Sequence, residues 1–242
     1  MIPVSPSPST VDPLEDWLQG YFGKLLINKE INLISRALEG VFGATCVQIG
    51  QWGAASGFLA HAQLPRRVLL AEPGACGDCV SHASSLALQA QSVDAVLLPH
   101  TLEFEPEPHA VLREVERVLV GQGHVLILGF APYSTWALRH HVSQAGFPPG
   151  LRQFLSAKRL RDWLSLLGFE VAGTQWASVG WPVESLASGP LAVFSHAVVD
   201  LTGGRCGSVY LLKAQKRVYT MTPIRPRRRA PRVLAGAAVS ST

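Results

Sequence analysis

An alternation of strand-like and helix-like segments constrains the fold of this chain more than any other feature. Short runs rich in aliphatic and β-branched residues, typical of buried strands, are separated by segments whose apolar residues recur every three or four positions. The strand-like runs are TCVQIG, RRVLLAE, SVDAVLLPH, GHVLILGF, FEVAGTQW and GSVYLLKAQKRV, and the clearest helical segments are PHAVLREVERVL and SAKRLRDWLSLLG. This order predicts an α/β domain with a doubly wound, mainly parallel sheet.

Glycines are predicted to divide and end the helical segments. Apolar residues recur at helical spacing through residues 12–38, and we expect Gly20 and Gly23 to divide this stretch into two helices. Gly121 and Gly123 follow the later amphipathic helix, and we expect them to end it before the next strand begins.

The two ends of the chain differ in composition from its middle. The Ser/Pro-rich residues 1–11 are predicted to be a disordered lead-in, and residues 12–222 a single folded domain. An apolar, irregular stretch at 175–204 is expected to form an insertion that caps the site. The formal charge of +4 is concentrated near the C-terminus, since residues 205–242 hold nine Lys or Arg and no acid. Residues 223–242 are therefore predicted to be a basic flexible tail.

The sequence predicts a cytoplasmic protein with reduced thiols. No run of residues reaches the roughly 18 uncharged apolar positions that a membrane span needs, and the N-terminus lacks the pattern of a signal peptide. Four cysteines in 242 residues are too few and too scattered for the disulfide framework of a secreted domain.

Residues at the ends of the first two strands are the first candidates for ligand binding, because open α/β sheets bind ligands beyond the carboxyl ends of their strands. Gly50 and Gly53 follow the first strand and would let the backbone approach a ligand closely. A plain structural turn explains these glycines equally well. Glu72 ends the second strand, where a carboxylate can accept hydrogen bonds from both hydroxyls of a ribose; a solvated acid before a Pro-Gly turn is the alternative.

Two histidines near later strand ends are candidates for a general base, since an imidazole titrates near neutral pH. His100 ends the SVDAVLLPH strand, and His140 follows the next strand through an aromatic turn. A hydrogen-bonded structural role is an equally good interpretation of His100. The acids that follow it, Glu103, Glu105 and Glu107, are expected to lie in a solvated loop.

Two further patterns carry weaker hypotheses. Cys76, Cys79 and His82 have the spacing of metal ligands, but a structural zinc site needs four, so we expect no metal here and rank redox activity equally low. The segment Arg225–Arg232 could bind nucleic acid through its charge. No aromatic residues separate its arginines, so a solubilising tail is at least as good an interpretation.

With these segments in order, the sequence resembles the class I S-adenosylmethionine-dependent methyltransferases, specifically short bacterial members of the type 11 group. The most specific part is SVDAVLLPHTLEFEPEPHAVLREVERVLVGQGHVLILGF, which is similar to the family's S-x-D-x-V strand, P-H-x-L-E-F strand end and L-R-E-x-x-R-V-L helix. GFAPYSTWALR and RLRDWLSLLGFEV continue the resemblance, which extends over most of the chain.

The resemblance implies a Rossmann-like sheet of about seven strands with the last strand antiparallel, N-terminal helices that cap the site, and S-adenosyl-L-methionine as the cofactor. The residues that it implies for cofactor binding are Gln48, Gly50, Gln51, Trp52, Gly53, Glu72, Pro73 and His100. This sequence departs from the family's first motif at two positions. Gln48 replaces the usual acid, and Trp52 occupies the place of the second glycine. The third strand is also expected to be short.

The activity implied by the resemblance is methyl transfer by direct displacement at the sulfonium methyl, with His100 and His140 as candidate bases. We expect a small, partly apolar acceptor, covered by helices around Trp17 and Tyr21 and by the insertion that contains Trp181. Two alternatives remain open at this point. The first is a catalytically degenerate methyltransferase-like protein that binds or regulates, and the second is an RNA-directed methyltransferase that uses the basic tail.

Overall fold

The computed structural model describes residues 13–53, 57–142, 147–179 and 207–217. The helices in these ranges are α1 (Pro13–Gln19), α2 (Tyr21–Leu38), α3 (Thr101–Phe104), α4 (Pro108–Val118), α5 (Thr135–Val142) and α6 (Ala157–Leu166), with a 3-10 turn at Leu59–His61. The strands are β1 (Thr45–Ile49), β2 (Arg66–Ala71), β3 (Cys79–Val80), β4 (Val93–Pro99), β5 (Leu119–Phe130), β6 (Phe169–Ala177) and β7 (Val209–Lys216).

These strands form one seven-stranded sheet in the order β3-β2-β1-β4-β5-β7-β6. Strands β1 to β5 are parallel to one another, and β7 runs antiparallel to both of its neighbours. The predicted doubly wound sheet with an antiparallel last strand is confirmed. The third strand is short, as expected, with only two residues.

Helices cover both faces of the sheet, which explains why the central strands carry buried apolar residues on both of their faces. One core cluster contains Leu26 and Ile34 of α2 together with Leu97 of β4, and the other contains Val111 of α4 and Val96 of β4. Adjacent residues of β4 therefore point to opposite cores. The strand order reverses between β1 and β4, and this switch point places the loops after those two strands side by side.

Two of the glycine predictions were wrong. Gly23 does not divide the N-terminal helices but lies inside α2, where the backbone of Leu18 passes so closely that a Cβ at Gly23 would lie 2.4 Å from the Leu18 Cα. Gly121 and Gly123 do not form a loop after α4, because β5 begins at Leu119 and runs through both of them. The pairing of β5 with β4 shifts register at this point.

Both ends of the chain and most of the predicted insertion lie outside the described residues, at 1–12, from 218 onward and at 180–206. Trp181 and Arg225–Arg232 fall within them. Among the residues that the structure does describe, no helix has both the length and the apolarity that crossing a membrane requires.

Candidate functional site

A cleft of about 610 Å³ lies at the carboxyl edge of the sheet, beside the switch point between β1 and β4. Its described lining residues come from α1, from the loops after β1 and β2, from the end of β4, and from α3 with the residue that follows it. They are Leu14, Glu15, Leu18, Gly50, Gln51, Trp52, Gly53, Glu72, Gly74, Ala75, Cys76, Pro99, Thr101, Phe104 and Glu105. A cleft of this size is within the range of small-molecule and cofactor sites.

The loop Gly50–Gly53 (the β1 loop) needs glycine at both of its ends. Gly50 has φ of 88° and Gly53 has φ of 67°, values that residues with a Cβ rarely adopt. Thr101, the first residue of α3, holds the start of the loop in place, since its Oγ1 donates a hydrogen bond to the carbonyl of Ile49 at 2.6 Å. The backbone N–H of Gly50 donates to the carbonyl of Leu70 at 2.9 Å.

Gln48 supports the same loop from inside the sheet. Its side chain is fully buried, and its Nε2 donates a hydrogen bond to the Gly50 carbonyl at 3.0 Å. Its Oε1 is buried with no hydrogen-bond partner among the described residues. An unpaired buried acceptor costs about 1–3 kcal/mol, so this oxygen is a candidate acceptor for a donor on a ligand.

Glu72 lines the cleft at the end of β2, and its carboxylate is fixed by the loop after β3. Its Oε2 lies 3.0 Å from Nδ1 of His82, and its Oε1 accepts a hydrogen bond from the N–H of Ala83 at 3.0 Å. Each oxygen retains a lone pair for a ligand hydroxyl. His82 therefore orients Glu72.

The spacing of Cys76, Cys79 and His82 is not accompanied by a metal site in the described ranges, where no group of three or more metal-ligating side chains is assembled. Cys76 lines the cleft, while Cys79 lies on β3.

Behind the β1 loop lies a group of four buried side chains, Glu30, Trp52, His100 and Glu103, which we call the buried carboxylate cluster. His100 Nε2 lies 2.7 Å from Glu30 Oε1, and His100 Nδ1 lies 2.8 Å from Glu103 Oε2. The indole Nε1 of Trp52 donates to Glu30 Oε2 at 2.8 Å. The backbone N–H of Phe130 donates to Glu103 Oε1 at 2.9 Å.

The geometry favours the imidazolium form of His100, because each of its ring nitrogens faces an oxygen of Glu30 or Glu103 and an ionised carboxylate can only accept a hydrogen bond. Burial alone would lower the pKa of His100, but the charge of Glu30 and the hydrogen bonds to Glu103 and Glu30 outweigh burial and raise the pKa to about 9. Burial raises the pKa of Glu103, and its hydrogen bond to His100 opposes that shift.

The structure therefore argues against His100 as a general base. The imidazole is fully buried, both of its nitrogens are engaged, and it is not among the residues that line the cleft. The backbone at His100 has φ of 57°, a left-handed conformation that turns the chain sharply from β4 into α3. The geometry supports the other interpretation, in which His100 is a hydrogen-bonded structural residue.

His140 and Pro73 also lie apart from the described lining of the cleft. His140 Nδ1 accepts a hydrogen bond from the N–H of Phe147 at 3.2 Å, which fixes the ring against the chain that follows α5. Pro73 is exposed beside Glu72. Of the residues implied for cofactor binding, those that line the cleft are Gly50, Gln51, Trp52, Gly53 and Glu72, and those that do not are Gln48, Pro73 and His100.

Sequence reasoning missed Glu30 and misplaced two acids near α3. Glu103 is 1% exposed rather than solvated, and Glu105 is half-buried on the cleft wall. Burial, together with the charge of Glu72, raises the pKa of Glu105. One signal for Glu30 was present, since it stands four residues after Leu26 and four before Ile34 and so shares the apolar face of α2.

Helix α1 contributes part of the cleft wall. Leu14, Glu15 and Leu18 face the cleft, and the Nε2 of Gln51 contacts Glu15 Oε1 at 3.3 Å. Trp17, expected to cover the acceptor, instead packs against Trp136 and Phe147 with ring centroids 5.9 and 5.4 Å away. Tyr21 is 63% exposed.

Replacing Gly23 with alanine is expected to displace α1 from the cleft. The new methyl group would lie 2.4 Å from the Leu18 carbonyl oxygen and 2.5 Å from the Trp17 carbonyl oxygen, and backbone at those distances must move. Glycine to alanine in a helix normally stabilises by about 0.5–1 kcal/mol, whereas this clash should lower the free energy of unfolding by about 1–3 kcal/mol. Chemical denaturation would measure the change. Gly173→Ala is the control because no atom lies within 4 Å of its Cβ position, and equal effects of the two variants would contradict the close approach.

The part of the chain from the 3-10 turn to the middle of β5 has recognisable relatives. Residues 59–127 match the family model for the type 11 methyltransferase domain. Over these residues the chain is similar to a type 11 methyltransferase domain. This match begins after the β1 loop, so Gln48 and Trp52 lie outside the matched residues.

The uncharacterized protein YafS of Escherichia coli (strain K12) is 34% identical over 148 residues, which cover 59% of this chain. They cover 57% of YafS, so the chain matches just over half the length of that curated relative.

Solved structures share the fold of this chain at low identity. A SAM-dependent methyltransferase from Archaeoglobus fulgidus is 15% identical with a TM-score of 0.55, and the alignment covers 81% of this chain and 100% of that one. The [4+2]-cyclase SpnF is 19% identical with a TM-score of 0.51, over 79% of this chain and 81% of that one. At these identities the likeness establishes the fold alone.

The cofactor of the methyltransferases that this chain resembles is S-adenosyl-L-methionine, and the residues at and beside the cleft fit it. Gly50 and Gly53 present backbone without side chains to the cleft. Glu72 stands at the end of β2 with acceptor capacity for ribose hydroxyls. The unpaired Oε1 of Gln48 is an acceptor beside the β1 loop, although an amide cannot form the ion pair with an ammonium group that a carboxylate forms.

Proposed function

We propose that this protein transfers the methyl group of S-adenosyl-L-methionine to a small, partly apolar acceptor in the described cleft. The observation that carries the proposal is the composition of the cleft. The β1 loop and Glu72 form one part of its wall, and Leu14, Leu18 and Phe104 form an apolar part. When bound, the cofactor supplies a methyl group activated on a sulfonium.

In this proposal the chain contributes binding, orientation and exclusion of water. Gly50 and Gly53 allow the backbone to approach the ligand, and Glu72 accepts hydrogen bonds from the ribose. Leu14 and Leu18 of α1 cover the reacting atoms and exclude water. Neither His100 nor His140 needs to act as a base, because activation resides in the cofactor.

The charges of the cleft support an acceptor that is neutral or cationic. Glu15, Glu72 and Glu105 line the cleft, and its described lining contains no Lys, Arg or His. Three carboxylates favour the positive sulfonium and ammonium groups of the cofactor and repel phosphate groups. This charge pattern disfavours an RNA acceptor, the alternative that depends on the basic tail.

A degenerate, non-catalytic binding protein is the second candidate, and Gln48 and Trp52 are the observations that favour it. The presence of a cyclase among proteins of the same fold underlines that the fold alone does not establish methyl transfer. Cofactor binding separates the two candidates, since the enzyme requires it and a degenerate protein can lack it.

Titration of the protein with S-adenosyl-L-methionine in a calorimeter is expected to give micromolar binding. Glu72→Gln should weaken that binding about tenfold, because hydrogen bonds to a charged group contribute about 1.5–3 kcal/mol. Glu107→Gln is the matched control, since Glu107 is an exposed acid before α4 and does not line the cleft. Absence of heat and of any thermal shift with the unaltered protein would reject the enzyme.

A further inference from the structure

The side chain of Trp52 occupies a position where a glycine would leave space between the β1 loop and helix α2. Although Trp52 lines the cleft, its side chain is almost entirely buried, with 3% exposed. Its indole N–H donates to Glu30 of α2, and its ring lies 4.4 Å from the ring of His100 by centroid distance. Trp52 is therefore packed as a core residue, although it belongs to the loop that borders the cofactor site.

The buried carboxylate cluster connects this loop to four other parts of the fold. Glu30 comes from α2, His100 from the end of β4, Glu103 from α3, and Phe130 from the end of β5. The His100 ring also lies 4.0 Å from the Phe130 ring. Each oxygen of Glu30 and Glu103 and each nitrogen of His100 has a hydrogen-bond partner. A buried network with all members paired is rigid, whereas an unpaired member would be costly.

The middle of the β1 loop is thus fixed by Trp52, and its start by Thr101 and Gln48. A glycine at position 52 would leave the middle of the loop without this anchor and with more conformations to lose on binding. When folding has already ordered a binding loop, the entropic cost of ordering it does not weaken ligand binding.

We propose that Trp52, held by Glu30 and His100, is a positioning residue that keeps the β1 loop in its cofactor-binding conformation before the cofactor arrives. The replacement of glycine by tryptophan is then a different means of shaping the site and not a loss of it. This inference rests on the proposed function, because it concerns the affinity for S-adenosyl-L-methionine.

The test compares Trp52→Phe with Trp163→Phe by calorimetry with S-adenosyl-L-methionine and by thermal unfolding without ligand. Trp52→Phe keeps an aromatic ring but removes the N–H that Glu30 accepts. We expect its affinity to fall about tenfold, as when the ordered loop conformation makes up only about a tenth of the free protein, with a less favourable binding entropy. The Trp163 ring contacts the His109 ring outside the cleft, so Trp163→Phe should leave the affinity and the binding entropy unchanged.

The outcomes separate this inference from the proposed function. If the unaltered protein binds S-adenosyl-L-methionine and Trp52→Phe binds it equally well with the same entropy, the positioning role is rejected. The proposed function is then unaffected. If the unaltered protein does not bind, the proposed function fails and the positioning role fails with it. Should Trp52→Phe not fold, incorporation of benzothienylalanine at position 52, which keeps the ring shape without the N–H, decides by the same criteria.

Discussion

Replacing His100 with alanine is expected to lower the free energy of unfolding by about 3–5 kcal/mol, because it removes one partner of a buried ion pair. Glu30 and Glu103 are 0% and 1% exposed, and each would lose the cation that balances its charge. Loss of the imidazole also leaves a cavity beside Trp52 and Phe130. Chemical denaturation followed by circular dichroism measures the change.

His61→Ala is the matched control for this substitution. His61 is exposed at the end of the 3-10 turn, and surface replacements of this kind change stability by no more than about 0.5 kcal/mol. A loss below about 1 kcal/mol for His100→Ala would show that the two carboxylates are not held as ions by the imidazolium.

The ring of His100 is expected to titrate near pH 9, and the protein should lose stability as the pH rises toward that value. The pKa is raised from 6.5 in the reference state to about 9 in the folded protein. When folding raises the pKa of a histidine, the resulting stabilisation is complete at pH values below the unfolded-state pKa. It is lost as the pH rises through the folded-state pKa. The expected decrease is about 2 kcal/mol between about pH 7 and about pH 9.

Two measurements check this dependence. NMR titration of the folded protein follows the His100 ring directly, and a midpoint near or below its reference pKa of 6.5 would contradict the imidazolium assignment. Denaturation across the same pH range compares the unaltered protein with His100→Gln. The free energy of unfolding of the variant should lack the decrease between about pH 7 and about pH 9 that is due to His100. Cys46 does not interfere, because burial raises its pKa from 9.0 to about 12, so its effect on stability begins only as the pH reaches about 9.

The order of strands and helices could be predicted from the sequence because it follows from periodicity, which is local. Apolar runs bounded by turn residues mark strands such as β4, and the amphipathic pattern of α4 marks its buried face. The error at Gly23 has a different cause. A glycine that ends a helix and a glycine that admits the backbone of a neighbouring helix are alike in sequence, and only the crossing of α1 over α2 distinguishes them.

The strand-end residues of the candidate site could be named from the sequence, since the carboxyl edge of an α/β sheet follows from strand order. The partners of those residues could not. Glu30 lies 70 positions from His100 in the chain, and no local pattern relates them. Position 52 departs from the family pattern, yet its hydrogen bond to Glu30 depends on how α2 packs against the sheet.

The buried carboxylate cluster has a consequence for how this domain can diversify. Glu30, His100 and Glu103 shape the β1 loop from positions that do not line the cleft, whereas Leu14, Leu18 and Phe104 form its apolar wall. The Phe104 ring lies 5.8 Å from the Trp52 ring by centroid distance, whereas Leu14 and Leu18 belong to α1. Under the proposed function, a library confined to Leu14 and Leu18 can therefore vary the apolar wall while every member of the buried carboxylate cluster is kept.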